Sequence, residues 1–352
     1  MRRLGCTFVL LVTPALGQVA TQPAPTTPER QAARLARELE LPERRTAAVA
    51  GLCELGAPAL APLLAQMRHP DPTTARVAAQ VLVEFGHDAL PIVPKLQALA
   101  AGKDATAPIA AWALARLPHR GTFLVPSMEE GLVRELDGDG KEIWKSAKVG
   151  KPWSASMLAD GHLLVADVDG AAREYDAEGK VVWEWTGKHC YTAERLLDGN
   201  TLLAEYGSQR VVEVDAKGEV VWQVEKCSPL FARRLPDGRT FFGNFDRGTL
   251  HEVDRTGVES WTLEGTANTY IVRRLRDGTL LHRQHNVAPA RVRDHKGTEL
   301  RTVPTFDVGT DVALLPDGSI QCGQGYVRRC DADGKERWKV DVGGWVGQIT
   351  LR

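Results

Sequence analysis

Arginines recur at matched positions in the second half of the chain. Arg195, Arg234 and Arg274 each stand three residues before the aspartate of an Asp-Gly pair, and Glu194, Arg233 and Arg273 precede them. Three guanidinium groups at equivalent points of a repeat offer fork-shaped donors to a sulfate, phosphate or carboxylate, so a small anionic ligand is one expected partner. The competing use is structural. A buried arginine must be paired, acidic groups of neighbouring repeats can pair it, and this use is weighted more heavily. His189, a few residues ahead of Arg195, is the nearest candidate for a histidine acting on such an anion.

Little else points to chemistry. His282 and His285 are three apart with no third ligand in view, and Asp137-Gly138-Asp139-Gly140 lacks the further carboxylates of a calcium loop, so no metal is expected. No Gly-x-Ser-x-Gly elbow, phosphate-binding P-loop or His-Glu-x-x-His occurs. The cysteines form no C-x-x-C pair and no regular framework, which leaves them as small buried apolar residues. A formal net charge of −1 offers no electrostatic basis for binding nucleic acid.

The elements that hold the arginines in register form a repeat. Trp144, Trp183, Trp222 and Trp261 are spaced 39 residues apart, and Trp338 follows after 77, room for one copy without the tryptophan. An Asp-x-x-Gly turn precedes each of six such positions, from Asp137–Gly140 to Asp331–Gly334. A second series, Asp-Gly between apolar runs, begins at Asp160-Gly161 and suits the positive-φ positions of tight hairpins. One unit reads strand A (Tyr191 to Leu196), Asp-Gly, strand B (Thr201 to Glu205), loop, strand C (Val211 to Asp215), Asp-x-x-Gly, strand D (Val220 to Val224). Four short strands in one order, six times over, predict an all-β six-bladed β-propeller across residues 119–352. The first unit lacks strand A. The step of 13 from Trp183 to Leu196 carries Trp338 to Leu351, so Val346 to Leu351 is expected to supply that strand and close the ring. Ala113 to Leu117 is the weaker competitor.

Ahead of the ring the chain divides in three. Arg2 and Arg3, the apolar Leu4–Val12 and the small residues Ala15 and Gly17 read as a signal peptide over 1–17, which implies a secreted or periplasmic protein. The apolar run is too short to span a bilayer, and no membrane span is expected in the mature chain. Residues 18–28, rich in Pro and Thr, read as a tether. Residues 29–118 read as small all-α hairpins, because Leu52-Cys53-Glu54-Leu55-Gly56 returns thirty residues later as Leu82-Val83-Glu84-Phe85-Gly86.

These hairpins resemble HEAT-like repeats. The unit from Leu196 to Trp222 resembles the blade of arylsulfotransferase-type propellers, and the Asp176–Trp183 ending is similar to the repeat of PQQ-like quinoprotein propellers. The first resemblance implies a sulfuryl-transfer enzyme at the channel mouth, with Arg195, Arg234, Arg274 and His189 as its residues. The second implies a PQQ-dependent quinoprotein, but quinoprotein dehydrogenases have eight blades and six are counted here, so no cofactor is expected. The leading expectation is a monomeric, exported, non-catalytic protein that binds a protein or ligand on the propeller face, with the helical segment as a second surface.

Overall fold

The computed structural model describes residues 27–285, 287–305 and 309–352. The expected signal peptide, and the tether up to residue 26, lie outside the described residues. Thr27 caps the first helix and Pro28 begins it, so helix starts just inside the expected tether.

Six helices precede the ring: α1 (Pro28–Glu38), α2 (Pro42–Leu55), α3 (Leu60–Gln66), α4 (Pro72–Val83), α5 (Val93–Ala100) and α6 (Thr106–Arg116). The thirty-residue repeat is visible in the stops: α2 ends at Gly56 (φ 71°) and the α4 turn at Gly86 (φ 51°), each followed by a short 3-10 turn and a second helix. Asp71 caps α4 by accepting from the backbone N–H of Thr73 and Thr74. Their shared core includes Leu39, Leu52, Leu63, Met67, Leu82 and Leu96. Among the described residues no helix is long and apolar enough to cross a membrane.

The rest is a six-bladed β-propeller. Blades 2 to 5 are four-stranded and antiparallel; in blade 3 the strands are Cys190–Arg195, Thr201–Glu205, Arg210–Val214 and Val220–Glu225. Blade 6 departs from the expected pattern. Asp317 to Asp331 spans 14 residues where the equivalent step elsewhere is 16 or 17, too few for a separate hairpin between strands B and C. One bent strand, Gly318–Asp331, therefore pairs with Asp311–Leu315 at one end and Glu336–Trp345 at the other.

The ring closes as expected. Thr350–Leu351 pairs antiparallel with Phe123–Ser127, placing Leu351 opposite Phe123. The competing segment, Ala113 to Arg116, is helical. Each pair of neighbouring blades shares an apolar core; the closing one joins Phe123, Val125 and Leu136 of blade 1 to Ile320, Cys322 and Val327 of blade 6, with Val346 and Ile349 buried among them. The repeated tryptophans dock blade on blade. The indole N–H of Trp222 donates to Arg255 O (3.0 Å), that of Trp261 to His295 O (2.8 Å) and that of Trp338 to Gly138 O (2.9 Å), each carbonyl following the Asp of the next Asp-x-x-Gly turn. All five described cysteines are buried free thiols, and burial pushes those of Cys53 and Cys322 up to about 12.

Candidate functional site

The arginines of strand A go to the joints between blades. Arg195 donates to Glu174 (2.7 Å), Arg234 to Glu213 (2.5 Å), and Arg274 pairs with Glu252 (3.2 Å). Each glutamate belongs to strand C of the preceding blade and is buried. Arg195 and Arg234 also cover the docking tryptophans Trp183 and Trp222, at 5.2 and 4.8 Å from the ring centres. Blade 2 has Met157 at the equivalent position; there Arg352 supplies the guanidinium, 2.7 Å from Glu135. The three sequence-selected arginines thus stand on three separate joints and are not brought together on one ligand position.

His189 is not with them. It precedes strand A of blade 3, whereas Arg195 ends it; at the rise of a β-strand the two lie roughly 20 Å apart. His189 Nδ1 is held by Val168 O (2.8 Å) in a positive-φ loop.

The helical segment is fixed on the Arg195 end of the channel. Trp112 Nε1 donates to Arg195 O (3.2 Å), Arg116 bonds the same carbonyl, and Arg233 pairs with Glu84. Arg276 reaches Asp88 (3.2 Å) and covers Phe85, while Leu197 packs against the helical core. A cavity of about 580 Å³ remains between helices and ring, lined by Arg116, Arg233, Arg273, Arg274 and Arg276 among others. These guanidinium groups are spoken for: Glu84, Asp311, Glu252 and Asp88 pair four of them, and Arg116 stands 4.0 Å from Glu194.

Asp160, His162 and Glu174 present oxygen and nitrogen atoms within 4.8 Å of one another, the grouping among the described residues that could hold a metal. Its geometry is that of a hydrogen-bonded joint. His162 Nδ1 is 2.6 Å from Glu174, whose other oxygen accepts from Arg195, and in blades 3 and 4 Asn200 and Arg239 take the place of His162 against Glu213 and Glu252. His282 and His285 do not converge on a metal either: His282 is buried in strand B of blade 5, while His285 lies beyond its end.

The opposite end of the channel is filled by aromatic rings that sequence reading passed over. Tyr270 of blade 5 is the hub: its ring lies 5.5 Å from Trp153 of blade 2, 5.4 Å from Phe245 of blade 4 and 5.3 Å from His285. Trp345 of blade 6 contacts His285 (5.3 Å), and Tyr191 of blade 3 meets Trp153 (5.1 Å) edge to face. Tyr206 extends the cluster outward, its hydroxyl donating to Asp246 (3.0 Å). Five of the six blades thus meet in one plug. Trp153 is 3% exposed, and among the described residues its indole N–H has no acceptor and His285 Nδ1 no partner. Tyr206, Phe245 and His285 recur at steps of 39 and 40 at the end of strand B, the signal that could have found them.

The sequence profile of the family described as outer membrane protein assembly factor BamB matches residues 107–230. No curated protein sequence matches the chain. Among solved structures, a protein of unknown function from Bacteroides caccae is similar at a TM-score of 0.53 and 17% identity, over 65% of this chain and 97% of that one; the likeness is one of fold. Virginiamycin B lyase from Staphylococcus aureus is similar at a TM-score of 0.46 and 13% identity, over 67% of this chain and 98% of that one.

Proposed function

We propose that this chain, a propeller of PQQ-repeat type, is a non-catalytic recognition protein. It offers the aromatic end of its ring to a partner and carries its HEAT-like helical segment locked on the other end. The observation that carries the reading is the plug. A wet channel with converging polar groups would suit a reaction, whereas here one mouth is filled by rings and the other is covered by helices held through paired charges. Half-buried tyrosine and tryptophan at a rigid face are the residues that anchor partners. The profile match to a family described as an assembly factor supports recognition of a partner.

The sulfuryl-transfer alternative needs Arg195, Arg234, Arg274 and His189 on one substrate, and their separation gives it no support. The reading includes export, with a mature chain beginning at Gln18; N-terminal sequencing of the protein from its native host tests that part. Recognition is tested with a photo-crosslinking residue at Tyr206, compared with one at exposed Val258, in the turn before the outer strand Glu259–Leu263. Adducts are expected from the mouth alone. Turnover of an aryl sulfate with a phenol acceptor, or of an alcohol with added quinone cofactor, would overturn the non-catalytic reading.

A further inference from the structure

We propose that the rim of the aromatic mouth, along the half that joins blades 1 to 4, binds a short acidic segment of a protein partner. The inference rests on the reading of this face as the recognition face and adds the chemistry of what it takes.

Three loops that lead from one blade into the next carry a lysine at nearly the same step. Lys148, Lys188 and Lys226 stand four or five residues beyond Trp144, Trp183 and Trp222. Each loop runs into strand A, which begins at the mouth, and is tied there to a B–C loop. Val149 N–H donates to Gly131 O (2.9 Å), Gly207 N–H to Lys188 O (3.0 Å) and Cys227 N–H to Gln209 O (3.1 Å). Arg247 adds a fourth cation from the B–C loop of blade 4, where its neighbour Asp246 accepts from Ser228, two residues past Lys226. All four are exposed, and none forms an ion pair among the described residues. Lys226 carries a further mark. It sits at φ 62°, in the left-handed region that favours glycine, and Gly265 (φ 78°) holds the equivalent place four residues beyond Trp261. A lysine kept at such a position points to a use for its side chain.

The neighbouring charges do not cancel these four. Lys151 pairs with Asp169 (3.1 Å), Arg173 with Asp167 and Glu184 (3.2 and 2.9 Å), Arg210 with Glu205 (2.6 Å), and Arg134 with Glu130 and Glu142. That leaves Glu225 and Asp246 on this half, and Asp246 is engaged by the hydroxyls of Tyr206 and Ser228. Exposed Glu129 of blade 1 and Glu264, leading into blade 5, bound the arc at its two ends. A short acidic segment fits inside those bounds, with its apolar residues on the part-buried rings of Tyr191 and Tyr206. A nucleic acid or an anionic membrane presents negative charge over the whole face and would meet the two glutamates as well.

The test uses the full chain and a fluorescent glutamate-rich peptide carrying two tryptophans, beside versions with glutamine or lysine for each glutamate. Only the acidic peptide is expected to raise the anisotropy saturably, and its affinity should fall about tenfold between 50 and 300 mM salt. Lys148→Glu, Lys188→Glu and Lys226→Glu combined should weaken it by about tenfold or more with the urea midpoint unchanged. The same reversal at exposed Lys141, Lys180 and Lys217, in or beside the Asp-x-x-Gly turns of the helical end, changes the net charge equally and should leave binding intact. No binding of the acidic peptide, equal binding of the glutamine version, or equal loss from both reversals overturns the proposal. So does tighter binding to phosphatidylglycerol vesicles that the mouth reversal abolishes. Crosslinks from Tyr206 distinguish the two failures. If they persist while the acidic peptide stays unbound, the charge chemistry is wrong and the recognition face stands; if both are silent, both fall.

Discussion

Arg234 of blade 4 and Glu213 of blade 3 form an ion pair across the joint between their blades, with side chains 5% and 0% exposed. The glutamate also accepts from Asn200 (2.7 Å) and from Arg255, and the Arg234 guanidinium lies over Trp222. Burial lowers the Arg234 pKa to about 10, still far above neutrality, so the pair stays charged. Removing one partner leaves a buried charge under-compensated, which is worse than removing both. Arg234→Ala is therefore expected to cost about 3 kcal/mol in urea unfolding. Arg234→Met with Glu213→Leu should recover most of that; a double variant as unstable as the sum of the singles would show that the joint is held another way.

The equivalent joint of blade 2 is pH-sensitive because His162 stands where blade 4 has Arg239 and blade 3 has Asn200. Its hydrogen bond to Glu174 raises its pKa above the ordinary 6.5, with Asp160 and Asp176 adding to the effect against some desolvation. A histidine raised in the folded state contributes stability that is full below the unfolded value and is lost as pH rises through the folded one. The melting temperature of the native chain should therefore fall, relative to His162→Asn, as pH climbs from 6.5 towards 8.5. A difference that stays constant over that range would remove His162 from the joint's energetics.

His282 behaves in the opposite way. It is 2% exposed, neither ring nitrogen has a partner among the described residues, and burial, aided by Arg293 and Arg291, lowers its pKa to about 4. Folding favours the neutral ring, so stability is intact above about 6.5 and is lost as pH falls towards the folded value, by up to roughly 3 kcal/mol. His282→Leu abolishes both the titration and the two orphaned nitrogens. It is expected to stabilise the chain by about 1 kcal/mol at pH 7 and by more at pH 4.5. Equal effects at the two pH values would contradict the assignment.

The ring was legible because tight turns demand particular residues: Asp-Gly and Asp-x-x-Gly mark where the chain reverses, and the docking tryptophans keep step with them. The short blade 6 was written in the same turns, in the 14 residues from Asp317 to Asp331. The arginine joints were half legible. Glu135, Glu174, Glu213 and Glu252 share the 39-residue step, but sequence alone does not tell which face of a strand meets the next blade. The aromatic mouth was harder, since no turn geometry constrains residue type there. Eight or nine residues beyond successive tryptophans stand Trp153, Tyr191, Leu230 and Tyr270, a mixed series that reads as ordinary core until the channel brings them together.

Closure by Thr350–Leu351 makes the strongest demand on the architecture. Ile349 is fully buried, its N–H donates to Asp311 (3.0 Å) and its carbonyl accepts from Arg273 (2.7 Å), while Arg352 O receives the backbone N–H groups of Arg120, Gly121 and Thr122. Ile349→Ala removes buried volume and leaves the strand paired, so a loss of about 3 kcal/mol with an unchanged monomer is expected. Deleting residues 348–352 goes further. It bares the Phe123–Ser127 edge and takes from Asp311 and Arg273 their hydrogen bonds to the Ile349 backbone, which should produce aggregation on gel filtration and a broadened, less cooperative unfolding transition. A deletion variant that elutes and unfolds like the intact chain would mean that blade 1 is complete without its C-terminal strand, and the velcro between Leu351 and Phe123 would have no energetic role.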